Sequence, residues 1–215
     1  MNALEALEKL RQGNARFINN VRGAEPILSQ VRRADLVHGQ NPFAVILGCS
    51  DSRVPAEIIF DQGLGDLFVI RVAGNVVAPS QVGSVEFAVE RFDIPLVMVL
   101  GHTMCGGVGA TLDVLQKRAN AGSSGIMSIV DRIRPAIEPL LQTELAGQPD
   151  ALMRASIQAN VRASANQLRH GSAIIERMVS ERGLAVVGGV YQLATGEVDF
   201  FDGVPRLAHG SPRGG

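Results

Sequence analysis

The chain has 215 residues, 46% of them hydrophobic and 19% charged, which suits one well-filled globular core and argues against disorder. A net charge of −1, scattered basic residues, a single tyrosine (Tyr191) and no tryptophan speak against a nucleic-acid surface. No apolar run approaches the ~18–20 residues of a membrane span, and the start, with Glu5 and Glu8, lacks the features of a signal peptide, so a cytoplasmic protein is expected.

Residues 1–215 read as one domain, with an N-terminal helical arm over 1–40 and a Gly/Pro/Ser-rich tail over 208–215 that frays. Leu4, Leu7 and Leu10 recur at near-helical spacing, with Phe17 further along the same segment. Their narrow apolar face suits a partner chain as well as the chain's own body. Residues 21–41 are polar and irregular, and Pro26 breaks any helix there. Phe43–Leu47 is the first strand, fully apolar, and Pro55 opens a short helix over Ala56–Phe60. Asp66–Val72 is the second strand, broken by the turn residues Ala73-Gly74-Asn75. Ser80 or Ser84 caps the next helix, which carries Val82, Val85, Phe87, Ala88 and Phe92. Leu96–Leu100 is the third strand, and Gly106-Gly107 opens another helix, followed by a small-residue loop over Ala119–Ser124. From Met127 to Arg182 the pattern is helical, interrupted at Pro135 and Pro139, with a long run from Asp150 to His170 and a last helix from Ser172 to Gly183. Leu184–Tyr191 is the fourth strand, and after a turn at Gly196, Glu197–Phe201 pairs back as a hairpin strand.

Short apolar strands alternating with helices predict an α/β protein: a mostly parallel sheet of four strands plus an antiparallel C-terminal strand, flanked by helices. In such sheets ligands bind beyond the carboxyl ends of the strands, near the point where strand order reverses.

Two motifs sit at such ends: Cys49-Ser50-Asp51-Ser52-Arg53 after the first strand and His102-Thr103-Met104-Cys105 after the third. Cys49, His102 and Cys105 are a soft donor set of two thiols and an imidazole, the mix zinc favours when three protein ligands leave a fourth place open. The first ligand lies 53 positions before the second, so the fold must assemble the site. A disulfide between Cys49 and Cys105, or a buried structural histidine beside two thiols, is the plainer alternative. Asp51 and Arg53 are placed to pair, because an unpaired ion beside a core is costly. A carboxylate oriented in this way can accept a hydrogen bond from water on a metal; a structural ion pair that shapes the turn is the alternative. Gly106 and Gly107 leave helix N-terminal N–H groups free to meet a developing anion, or merely permit the turn. Zinc with two thiolates and a neutral histidine is formally neutral. It should acidify water less than an ion on three neutral histidines, where the bound water has a pKa of about 7.

With these residues in place, the sequence resembles the β-class carbonic anhydrases of bacteria. The likeness runs through Glu8–Phe17, Cys49–Val54, Phe68–Asn75, Gly101–Gly107 and Gly189–Tyr191, and its most specific mark is Cys-x-Asp-x-Arg followed by His-x-x-Cys. The resemblance implies one zinc ion per chain on Cys49, His102 and Cys105. It implies reversible hydration of carbon dioxide to bicarbonate and a proton, with hydroxide on zinc as nucleophile and the Asp51–Arg53 dyad orienting it. It also implies a homodimer or a dimer of dimers in which the first helix embraces the neighbour, with no nucleic-acid or membrane partner. Gln40 and Phe68 match positions that line the pocket of members with an open zinc site, and Phe87 stands where those members usually have tyrosine. Arg71 and Tyr191 match two of three residues of a regulatory bicarbonate site, but Ile46 stands where that site has tryptophan, which favours the open type. The plain roles are a salt bridge at a strand end or subunit contact for Arg71, a buried ring with a satisfied hydroxyl for Tyr191, and core for Phe87 and its neighbours. His38, His170 and His209 have no matching partners and read as surface or structural.

Two other functions fit the same residues. One is hydrolysis of carbon disulfide or carbonyl sulfide on this scaffold, separable by assay with each substrate. The other is a non-catalytic zinc-binding protein, which would be indifferent to Asp51→Asn.

Overall fold

Alternation along two central strands divides the interior into two layers. Val45 and Leu47 face one layer while Ala44 and Ile46 face the other, and Val97 and Val99 likewise oppose Leu96, Met98 and Leu100. All nine are fully buried, so these strands lie in the middle of a sheet covered on both faces. The computed structural model describes residues 1–21, 34, 36–120 and 122–205; the expectations for Pro26, for His209 and for the tail from 208 fall outside them.

The strands are β1 (Ala44–Gly48), β2 (Leu67–Arg71), β3 (Leu96–His102), β4 (Ala185–Tyr191) and β5 (Val198–Asp202). They form one sheet in the order β2-β1-β3-β4-β5, parallel throughout except for the β4–β5 pair, as the sequence predicts. From β1 the chain moves outward to β2, then crosses back to β3 on the other side of β1. The strand order therefore reverses between β1 and β3, which places the crevice at their carboxyl ends.

The N-terminal helix α1 (Ala3–Ile18) opens with a capping box, in which the Asn2 side chain accepts from the Glu5 N–H and the Glu5 carboxylate accepts from the Asn2 N–H. Its face of Ala6, Leu7 and Leu10 is fully buried on this chain's own sheet, beside the short helix α2 (Ala56–Ile59). Asn14 secures it: its amide donates to the carbonyls of Ile59 and Gly196, and its Oδ1 accepts from the Val198 N–H. Arg16 pairs with Asp61. Within one chain this helix covers the layer over Leu96, Met98 and Leu100.

The other layer holds α3 (Pro79–Phe92), α4 (Gly106–Leu115), α5 (Ser124–Ile137), α6 (Pro149–His170) and α7 (Ala173–Arg182). The start of α3 corrects the expected serine cap. Pro79 opens the helix after Ala78 without a side-chain cap, and Ser84 Oγ instead donates back to the Ser80 carbonyl. Pro135 does not interrupt α5. It sits in the last turn, where one lost hydrogen bond is outweighed by burial of Val130, Ile133 and Ile137. Pro139 instead lies in the first turn of a 3-10 segment, Glu138–Gln142. Helix α6 lies close on β3 and β4: a Cβ at Gly101 or Gly188 would come within 2.5 or 2.8 Å of the Val161 methyls. Glycine at both positions lets the helix approach the strands that end at the crevice. No helix among the described residues is long and apolar enough to cross a membrane.

Candidate metal centre

The register of β1 on β3, with Gly48 opposite Leu100, carries Cys49 alongside Gly101 and His102. After His102 the chain turns through Met104, whose left-handed φ of 58° is uncommon for a non-glycine residue. Cys105 then caps α4. Segments 53 residues apart in sequence thereby meet, and the donor atoms of Cys49, His102 and Cys105 lie within 4.8 Å of one another, all buried. Both cysteines are free thiols, so the disulfide alternative is set aside.

The imidazole of His102 is fully buried. Its Nδ1 lies 2.9 Å from the Thr103 carbonyl oxygen, which only accepts, so Nδ1 carries the proton and Nε2 keeps its lone pair. That buried Nε2 has no hydrogen-bond partner. An orphaned imidazole nitrogen beside two thiols is costly in an empty protein interior and is what a metal ligand requires. The donor set fits zinc.

The closeness of Cys105 lowers the pKa of Cys49 against the effect of burial, helped by His102 and by the backbone around Asp51 and Gly74. Cys105 is pushed up by the same closeness and by burial, although the N–H groups of Val108 and Gly107 at the start of α4 work the other way. For His102, burial disfavours the cation, but the nearby Cys49 sulfur, the Thr103 carbonyl and the Asp51 charge overcome it and raise its pKa.

Asp51 lies at the edge of this cluster, its Oδ2 3.9 Å from His102 Nε2. Arg53 holds it by two side-chain bonds, Nε to Oδ1 at 2.9 Å and Nη2 to Oδ2 at 2.7 Å, and its backbone N–H donates to Oδ1. The side-chain bonds from Arg53 keep the carboxyl well below the usual carboxylate range. The paired geometry expected from the Cys-x-Asp-x-Arg spacing is therefore present.

Two supports were not legible from the motif alone. Arg71, at the end of β2, donates from Nε to the Cys49 carbonyl and from Nη2 to the Asp51 carbonyl, so it fastens the loop that carries both residues. The Gly74 N–H donates to Cys49 Sγ at 3.4 Å. The only sequence signal for either was the Arg71–Asn75 stretch itself, a strand end followed by turn residues.

The remaining expected site residues are not gathered here. Gln40 lines a cavity of about 710 Å³ with Lys9, Phe43, Asp66 and Pro95, at the amino ends of the strands. Phe68 pairs with Val45, four residues before Cys49, so it sits roughly 13 Å below the strand end. It stacks with Phe87 and Phe92 in a triangle of rings with centroids 6.1–6.3 Å apart, and Phe87 is 56% exposed. The plain-core reading of Phe87 thus fails, and its pocket-lining role is not realised within one chain. Gly106 is exposed at the start of α4 with open space around it. Arg71 and Tyr191 lie on strands separated by β1 and β3; Nε and Nη2 of Arg71 donate to the loop carbonyls as described, and the buried Tyr191 ring faces Phe17.

A sequence model of the family described as carbonic anhydrase matches residues 44–198, from the start of β1 to the start of β5. Carbonic anhydrase 2 of Mycobacterium tuberculosis is 40% identical over 208 residues, which cover 96% of each chain. A β-carbonic anhydrase structure from Aspergillus fumigatus is 29% identical, covers 94% of this chain and 91% of its own, and superposes with a TM-score of 0.72. One of two β-carbonic anhydrases of Sordaria macrospora described as tetrameric is 25% identical, with a TM-score of 0.69 over 79% of this chain and 85% of its own. Matched along nearly its whole length, with its strand order and its soft donor cluster in place, this chain belongs to the β-class carbonic anhydrase family, whose reaction is the hydration of carbon dioxide.

Proposed function

We propose that Cys49, His102 and Cys105 hold a zinc ion and that this chain hydrates carbon dioxide to bicarbonate and a proton, reversibly. The observation that carries the reading is the orphaned, buried Nε2 of His102, directed among two free thiols. Zinc, when bound, supplies Lewis acidity and makes a water molecule acidic enough to attack carbon.

The chain's own residues supply orientation. Asp51, ionised and held from one side by Arg53, offers a fixed acceptor at the edge of the cluster and so aims a water lone pair toward the crevice. Both carboxylate oxygens being engaged by Arg53 favours a place left open beside the ligands. The N–H of Gly106, in the first turn of α4 with open space beside it, is placed to donate to a substrate oxygen that gains charge.

The pocket is completed by a second copy of the chain. Gln40, Phe68 and Phe87 lie away from the cluster of their own chain, and the exposed Phe87 ring is apolar surface that a partner can cover. The Sordaria macrospora relative is tetrameric, and a homodimer or a dimer of dimers is proposed here.

Stopped-flow hydration of carbon dioxide on the zinc-loaded chain and on its Cys105→Ser variant tests the assignment. The variant should lose zinc and nearly all activity; equal rates would rule out the metal role. Parallel assays with carbonyl sulfide and carbon disulfide separate this reading from hydrolysis of those substrates.

A further inference from the structure

Gly74 has a left-handed φ of 67°, a region glycine enters freely, so its own chain does little to fix the direction of its N–H. Yet that N–H meets Cys49 Sγ. What aims it lies on α6. Asn160 is buried in the middle of that helix, and its Nδ2 donates to the Gly74 carbonyl at 2.8 Å. One turn on, Ser164 Oγ donates to the Asn75 carbonyl at 3.1 Å. Gly107 also presses close, where a Cβ would lie 3.1 Å from the Gly74 Cα. A buried amide on a helix interior is unfavourable unless its hydrogen bonds are needed. Ser156, one turn earlier on the same face, makes no such bond: its buried Oγ has no partner.

We infer that Asn160 is a positioning residue for the metal centre, acting through the turn residue Gly74 on the sulfur of Cys49. The inference rests on the zinc reading above. With Asn160 in place, Gly74 is held at both ends, its carbonyl by α6 and its N–H by the sulfur. The N–H···S bond draws charge from the thiolate, sets its donor strength and fixes the direction of its lone pairs. Without Asn160, the Gly74 carbonyl is left unpaired in the interior, and the turn rotates to satisfy it.

The test loads the full-length chain with cobalt(II) and records the thiolate-to-cobalt charge-transfer band, with zinc affinity measured by chelator competition. Asn160→Ala and the similar-sized Asn160→Leu should both move the band to longer wavelength and weaken zinc binding about 10-fold or more. Ser156→Ala should match the unsubstituted chain in both. Asn160 variants that lose stability but keep the original band and affinity would overturn the inference and leave Asn160 a purely structural residue. Failure of the zinc reading looks different: the unsubstituted chain would take up no cobalt, or Cys49→Ser would keep the band. Should neither Asn160 variant fold, cadmium-113 in the unsubstituted chain decides, because the N–H···S bond predicts scalar coupling between cadmium and the Gly74 amide proton. Absence of that coupling overturns the inference.

Discussion

Asp51 joins charge, geometry and chemistry at one atom pair. With Arg53 lowering its pKa, its ionised form stabilises the fold above the ordinary carboxylate pKa of about 3.9. That contribution is lost only as pH falls through the lowered folded value. Asp51→Asn should therefore reduce resistance to urea at neutral pH, with the difference from the unsubstituted chain shrinking as the solution becomes strongly acidic. The same variant should keep zinc and lower the hydration rate roughly 10²-fold or more, read by stopped flow, since an oriented acceptor typically contributes that much. With Asp51 ionised through the neutral range, a rise of activity with pH should belong to the proposed metal centre. Two thiolates cancel the ion's charge, so that rise should continue above neutrality, and a plateau reached well below pH 7 in a pH–rate profile would contradict this. The meeting of Cys49, His102 and Cys105 and the Asp51–Arg53 pair were legible in the sequence because their types and spacing carry their chemistry. Arg71 was not, since a guanidinium at a strand end is equally suited to an anion or to backbone carbonyls. Only the fold shows that the carbonyls of Cys49 and Asp51 face it.

At the scale of elements, the strands followed from pattern, because β1 and β3 are continuous apolar runs that end at Gly48 and His102, whereas the start of α3 did not. The docking of α1 did not follow, because a narrow apolar stripe does not say whose surface it covers. The structure answers through Gly13, where a Cβ would lie 1.8 Å from the Phe60 carbonyl oxygen. Gly13→Ala should force α1 off α2 and cost about 1–3 kcal/mol, measured by urea denaturation. Gly101→Ala belongs to the same class, since its Cβ would meet a Val161 methyl at 2.5 Å. It should destabilise by a similar amount and also displace His102, the next residue, so zinc affinity falls with stability. A variant that loses stability and keeps affinity would show that the strand end tolerates movement of α6.

At the scale of the whole molecule, strand order was legible only as a class. Alternating short strands and helices predict a parallel sheet, but no local pattern says that β1 lies between β2 and β3. That order puts Cys49 beside His102 and leaves Phe68 and Phe87 toward the outer strand, away from the thiol and imidazole cluster. Phe87→Glu places a charge on the apolar ring cluster, and because the side chain is half exposed the chain should still fold. Light scattering should then show a smaller particle than the unsubstituted protein, with hydration activity falling alongside. An unchanged mass and rate would place the subunit contact elsewhere.

The donors reach the site from both sides of the β1–β3 seam, with Cys49 at one margin and His102 and Cys105 at the other. A bound ion is then a buckle that closes a long loop of chain and grips only when the seam is shut. Each tenfold rise in free zinc above its dissociation constant should add about 1.4 kcal/mol of resistance to unfolding. Cys49→Ser, which leaves only the neighbouring pair His102 and Cys105, should abolish that dependence.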